Sequence, residues 1–286
     1  MSRATVGVIG GTGLYELEEL RNVEEVRVET PFGDPSDALI CGDLGDVRMV
    51  FLPRHGRGHK LMPTEIPFLA NMWAMKKVGV EWIISLSAVG SLREDCAPGE
   101  VVVIDQFIDR TRLRRNTFFG DGLVAHVSFG DPVSQPLADV LEQAARDAGV
   151  TVHRGGAYVC MEGPAFSTRA ESHMYRTLGG RVIGMTNLPE AKLAREAEIA
   201  YATVALVTDY DSWRESEEAV DTEEIVKTLT ANAESARRIL VHAAAAIPDE
   251  HDPAAANALA GAILTAPDAI PERRKADLAP IIGRYL

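Results

Sequence analysis

A chain of 286 residues, 46% of them apolar, is long enough for one large α/β domain or two smaller ones. Its net charge of -13 argues against nucleic acid or an anionic membrane as a general partner, and any anion site must gather its cations at one spot. No apolar run reaches the ~20 residues of a membrane span and no charged-then-apolar leader precedes the first strand, so the expected compartment is the cytoplasm.

The first apolar run, TVGVI at 5–9, reads as a strand and leads into Gly10-Gly11-Thr12-Gly13. Such a turn lets backbone N–H groups approach an anion, and Thr12 adds a hydroxyl. A plain tight turn would use the same glycines, and the pattern is neither a phosphate-binding P-loop nor a dinucleotide fingerprint. A second strand at 47–52 ends in Pro53-Arg54-His55-Gly56-Arg57-Gly58-His59. There Arg54 is expected to meet phosphate through its bidentate fork, with His55 donating a further bond. A solvated basic loop is the competing reading. The glycines between His55 and His59 argue against a metal pair.

Residues 66–77 predict a helix with Pro67 in its first turn and Ile66, Leu69, Ala70, Trp73 and Ala74 as its buried stripe. Strands follow at 81–86, running into Ser87-Ala88-Val89-Gly90-Ser91, and at 101–104. Residues 113–136 show no period, and long ordered loops are usually functional or interfacial. A helix at 137–148 and a strand within 151–160 precede a turn at 161–167 that carries Phe166. Ser167 is expected to cap the helix that runs to 178. A short strand at 181–184 leads to Met185-Thr186-Asn187-Leu188-Pro189-Glu190, with Pro189 opening the helix that continues through 191–198.

The next run, 201–207, has the composition of a strand buried on both faces and ends in Thr208-Asp209-Tyr210-Asp211. In a parallel α/β sheet, ligands bind at the carboxyl ends of strands. Two carboxylates there can accept from an exocyclic amine or deliver a proton to a ring nitrogen. A helix-capping Asp beside a solvated one would look the same. Asp221 and Glu224 resemble a capping box for a long helix striped by Ile225, Leu229, Ala233, Ala236 and Leu240. The alternation predicts an α/β fold with a twisted, mixed, largely parallel sheet flanked by helices. One body is expected over 1–243, with an Ala/Pro-rich helical tail at 244–286 packing on it or on a neighbouring subunit. Cys41, Cys96 and Cys160 are scattered and read as reduced thiols, fitting neither a disulfide framework nor a zinc site.

The set GGTG, PFGDPSDALI, RHGRGH, GSLRE, PGEVVVIDQFIDRT, EGPAFSTRAES, GMTNLPEA and TDYDSW, in this order over about 6–240, resembles the methylthioadenosine phosphorylase branch of the trimeric purine nucleoside phosphorylases. The resemblance implies cleavage of 5'-methylthioadenosine by inorganic phosphate, without metal or redox cofactor, at sites near the interfaces of a homotrimer or a dimer of trimers. It implies phosphate binding by Thr12, Arg54, His55, Ser87, Ala88 and Thr186. Met185 would lie against the ribose and Phe166 against the purine face. Asp209 and Asp211 would face purine N7 and the 6-amino group, with Tyr210 between them among the substrate-binding residues. Ser167 and Thr222 would sit near the base and the 5' substituent. The chain departs from the family at Val89, Asn187 and Thr222, where Cys, Thr and an aliphatic residue are common.

The chemistry these groups suit is phosphorolysis of an N-glycoside, with Asp209 as the candidate acid at N7 and Asp211 as a neighbour able to raise its pKa, either carboxyl being able to carry the proton. A 6-oxopurine nucleoside phosphorylase is the alternative, but that type usually carries Asn in place of Asp209. Adenosine itself is a further candidate substrate. A non-catalytic nucleoside-binding protein would have no use for Thr12, Arg54, His55 and Thr186 together. A nicotinamide-dependent oxidoreductase lacks its fingerprint.

Overall fold

A computed structural model describes residues 4–11, 14, 17–214 and 222–286, without the side chains of 222–227 and 229. Its strands are β1 (Thr5–Gly10), β2 (Arg21–Val26), β3 (Leu39–Leu44), β4 (Val47–Pro53), β5 (Trp82–Ser91), β6 (Val101–Val103), β7 (Gln106–Asp109), β8 (Val152–Arg154), β9 (Ala157–Cys160), β10 (Gly180–Gly184) and β11 (Ala200–Tyr210). Its helices are α1 (Phe68–Lys77), α2 (Gln135–Asp147), α3 (Arg169–Thr177), α4 (Asn187–Glu196), α5 (Thr222–Ala246), α6 (Pro253–Ala256), α7 (Glu272–Asp277) and α8 (Ala279–Ile282).

The strands form one mixed sheet in the order β2-β3-β4-β1-β5-β10-β9-β7, with β11 on β5 and β6, and β8 on β6. Parallel pairing dominates the centre, where β1 joins β4 and β5, and β11 joins β5. The central strands are near-continuous apolar runs because helices cover both faces. β5 organises the site. Along one edge it pairs β11 over nearly its whole length. Along the other, β1 holds Trp82–Ser85 and β10, antiparallel, holds Gly90 and Ser91. Between those two pairings, residues 86–89 have no strand partner on that edge among the described residues. This is a crevice where strand direction changes, the place a ligand uses in an open α/β sheet.

Several expected elements differ in extent. β5 and β11 run on through the small and acidic residues expected to follow them. α1 is buried along Phe68–Met75 rather than on one stripe, because the tail covers its outer side and Trp73 Nε1 donates to Asp277 O at 2.8 Å. Ser167 does not cap α3. Thr168 does, in a capping box closed by Glu171. Residues 151–160 hold two strands, and β2 and β3 arise where no strand was expected. Residues 113–134 contain neither helix nor strand, only isolated bridges at Gly120–Leu123 and Ala125–Ile263. Asp221 lies outside the described residues.

Ile247, Leu259, Ile270, Leu278 and Ile282 of the tail belong to the main apolar core. Arg284 pairs with Glu198 at 2.7 Å, and Leu264 N–H donates to Val124 O at 2.8 Å. No helix among the described residues is long and apolar enough to cross a membrane.

Candidate active site

One wall of the crevice is built by the ends of β1 and β4. The Arg54 N–H donates to Gly10 O at 2.9 Å and ties the glycine turn to the basic loop. The Arg54 side chain does not extend into solvent; the residue is 2% exposed. Nor is its fork open, as a bidentate phosphate contact requires. Nε and Nη2 donate to the two carboxylate oxygens of Glu190, at 2.7 and 2.9 Å. Nη2 also reaches Ser85 Oγ at 2.6 Å, and Nη1 reaches Leu86 O at 3.0 Å on the open stretch of β5. Burial opposes the guanidinium charge, but Glu190 outweighs it and holds Arg54 above its ordinary value.

His55 also departs from expectation. Its Nδ1 lies 2.8 Å from Leu61 O, and a carbonyl only accepts, so the ring proton sits on Nδ1. Burial, with Arg54 and His59 adding to it, pushes its pKa down to about 4. The neutral ring, stacked on His59 at 4.3 Å, therefore offers Nε2 as an acceptor rather than a donor.

Ser87 and Thr186 meet across the crevice. Ser87 Oγ lies 3.4 Å from Thr186 Oγ1 and 3.0 Å from Tyr158 OH, and all three residues are buried. Tyr158 lies so close to β10 that a Cβ on Gly184 would meet its hydroxyl at 1.9 Å, so only glycine fits there. Ala88, on an otherwise buried stretch of β5, is exposed at the gap. Thr12 lies outside the described residues.

The other wall is the end of β11. Pairing slips between Val207 and Asp209, so Thr208 is an extra residue and Asp209 comes opposite Gly90. Such a bulge re-aims the side chains beyond it. A Cβ on Gly90 would meet Asp209 Oδ2 at 3.3 Å and Asp211 Cβ at 3.4 Å, so the missing side chain makes room for both acids. Thr208 Oγ1 lies 2.6 Å from Asp209 Oδ1 and 3.1 Å from Val89 O. Asp211 is buried, which raises its pKa against the opposing pull of Ser172 and Ser167, and among the described residues its Oδ2 meets no partner at hydrogen-bond distance.

The remaining expected residues surround these walls. Phe166 is 69% exposed on the turn 161–167. A Cβ on Gly163 of that turn would meet Met185 Sδ at 2.5 Å, so turn and methionine are in close contact. Ser167 is buried and its carbonyl accepts from Ser212 Oγ at 2.9 Å. Tyr210 faces away from the acids, edge-on to Trp213 at 5.9 Å with the Arg214 guanidinium 4.0 Å over its ring. Thr222 begins α5, and its side chain lies outside the described residues.

Sequence reasoning missed the supports. Glu190 accepts from Ser85 Oγ at 3.0 Å and Tyr201 OH at 2.8 Å, and Asn187 Nδ2 donates to both of those hydroxyls. Arg114, from the long loop, donates to Glu162 Oε1 at 3.0 Å and to Met185 O and Leu188 O at 2.6 Å each. It thereby joins the turn 161–167 to the start of α4. Its only sequence signal was an arginine in a long loop.

Away from the crevice, Cys96, Glu100 and His153 bring metal-ligating atoms within 4.8 Å of one another. His153 Nε2 already lies 2.8 Å from Glu100 Oε2, which also accepts from Ala97 N–H, and burial pushes the Cys96 thiol up to about 11. Cavities of about 540 and 370 Å³ lie beside Glu196 and beside Phe32, and neither contains an expected site residue.

The Phosphorylase superfamily model matches residues 5–245. A relative from Geobacter sulfurreducens, named S-methyl-5'-thioadenosine phosphorylase, is 57% identical over 98% of this chain and 99% of its own. A crystal structure of a methylthioadenosine phosphorylase from an antarctic soil metagenomic library is 48% identical, covering 97% of this chain and 98% of its own, with a TM-score of 0.94. Methylthioadenosine phosphorylase from Schistosoma mansoni, solved with adenine, is 37% identical over 91% of this chain and 99% of its own, with a TM-score of 0.86.

Proposed function

This chain belongs to the Phosphorylase superfamily, and from that premise we propose that it is an enzyme, a pentosyltransferase, that cleaves 5'-methylthioadenosine with inorganic phosphate to adenine and 5-methylthioribose 1-phosphate. The observation that carries the reading is one crevice, opened where β1 and β10 part along β5, with anion-type groups on one wall and paired acids on the other.

Phosphate is held under C1' by Arg54 Nη1–H, the hydroxyls of Ser87, Thr186 and Thr12, and the backbone at Ala88 and the glycine turn. His55 Nε2 accepts from a protonated phosphate oxygen. Fixing two reactants in this way supplies roughly 7–11 kcal/mol of the barrier reduction. Positive charge growing on the ribosyl ring is met by the phosphate itself. Negative charge growing on the purine is met by a proton at N7, a contribution of about 10²–10⁴-fold. Asp209 and Asp211 share that proton as a pair. Asp209 delivers it, and Asp211 Oδ2, which meets no partner at hydrogen-bond distance among the described residues, takes the 6-amino group. Phe166 closes over the base, Met185 lies under the ribose, and Ser167 and Thr222 border the base and the 5' end, while Tyr210, packed on Trp213, stands behind the acids and does not touch the base. An acid at Asp209 suits a 6-amino purine, which sets 6-oxopurine nucleosides behind.

The reaction needs no metal or redox cofactor. The working form is a homotrimer or a hexamer of two trimers, in the cytoplasm, serving purine and methionine salvage. Adenine release from methylthioadenosine, followed with and without phosphate and in the presence of a chelator, tests the reading. Release that is independent of phosphate would refute it.

A further inference from the structure

Arg54 has five N–H groups. Nε–H and one Nη2–H are taken by Glu190, the other Nη2–H by Ser85 Oγ with Ile9 O at 3.3 Å, and one Nη1–H by Leu86 O. The fifth, on Nη1, has no protein acceptor among the described residues, and Nη1 sits on the stretch of β5 that β1 and β10 leave open. We propose that Glu190 is the positioning residue of the anion site: it fills the guanidinium fork, cancels its charge and leaves a single Nη1–H for a phosphate oxygen.

This inference rests on reading the crevice as the phosphate site. The surrounding groups all serve Glu190 as an ionised acceptor. Ser85 and Tyr201 donate to it, and Asn187 donates to both, so each hydroxyl proton is directed at the carboxylate. With Arg54 neutralised in this way and His55 uncharged, the site holds phosphate by directed donors and not by net charge. The arrangement favours a defined pose over tight binding, as a reaction that must place phosphate in line with C1' requires.

Glu190→Gln keeps the shape and removes the charge. A buried guanidinium without its counter-ion is then best compensated by phosphate itself. The phosphate KM should fall roughly tenfold, the scale of one charge-assisted hydrogen bond, while kcat also falls because the anion is drawn toward the freed fork. Inorganic phosphate should also raise the Tm of this variant more than that of the wild type. Tyr201→Phe, which removes one O–H from Glu190 and no charge, should move kcat and phosphate KM in the same directions by less. It decides the matter if Glu190→Gln does not fold. A fall in kcat with phosphate KM and the phosphate-induced Tm shift unchanged, in whichever variant folds, would make Glu190 merely structural and overturn the proposal. A wild type that turns over without phosphate would overturn the site reading itself, whatever the variants do.

Discussion

Arg54→Met tests whether the basic loop is a surface feature or the root of the site. The substitution keeps much of the side-chain volume but strips Glu190 of its counter-ion. Glu190 is 1% exposed, so its carboxylate would be left buried with Ser85 and Tyr201 as its remaining donors among the described residues. Breaking a buried pair from one side costs about 3–5 kcal/mol. At roughly 2–4 °C per kcal/mol for a domain of this size, Tm should fall by about 6–20 °C. The double variant Arg54→Met/Glu190→Leu removes both partners and should recover much of that loss, because the cost lies in the orphaned charge and not in the missing contact. Calorimetry on the wild type, both single variants and the double variant supplies the cycle. Phosphate kinetics should separate from stability: the double variant regains Tm, yet its phosphate KM stays raised, because the Nη1–H is gone. A single-variant loss below ~0.5 kcal/mol, the size of an ordinary surface change, would refute the reasoning.

Asp209→Asn should lower kcat by about 10²-fold or more with the fold intact, since an amide cannot deliver the proton; it should also shift preference toward inosine, and a wild-type rate on methylthioadenosine would remove Asp209 from the role of acid. Glu196 supplies a pH prediction. Burial raises its carboxyl from 4.5 to about 7, against the donors Thr117 Oγ1 and Phe118 N–H. A raised folded value means that the folded protein holds the extra proton between those two limits, so its stability falls as pH rises through that window, by at most about 1.4 kcal/mol per unit. Glu196→Gln should flatten the slope of Tm between about pH 5 and pH 8, and an unchanged slope would show that another group sets it.

What the sequence discloses and what it hides divide along a physical line. The runs that became β1, β4, β5 and β11 are legible because a strand buried on both faces has to be apolar throughout. β2, RNVEEV, is not, because it is a strand at the sheet's end whose residues are exposed except for Val26, the one that packs on the core. The acids at the end of β11 could be found because packing gives no reason for them. The bulge at Thr208 could not, since two residues apart reads the same with or without a slipped register, although the slip decides which side chains meet Gly90. The cap on α3 was readable in Thr168 and Glu171, three apart, and an adjacent serine obscured it. Arg54 is the instructive case. A sequence names a guanidinium but not which of its hydrogens are already engaged, and Glu190, 136 residues away, determines that. Residues that touch substrate stand out because they look out of place in a core. The residues that aim them are ordinary polar members of a helix or a strand, and only the folded distances identify them. On the proposed reading, the chemistry of the crevice is carried at strand ends, where polarity is conspicuous, and the pose of phosphate is set one layer deeper, by the hydrogen bonds that join Glu190, Ser85, Tyr201 and Asn187 to Arg54.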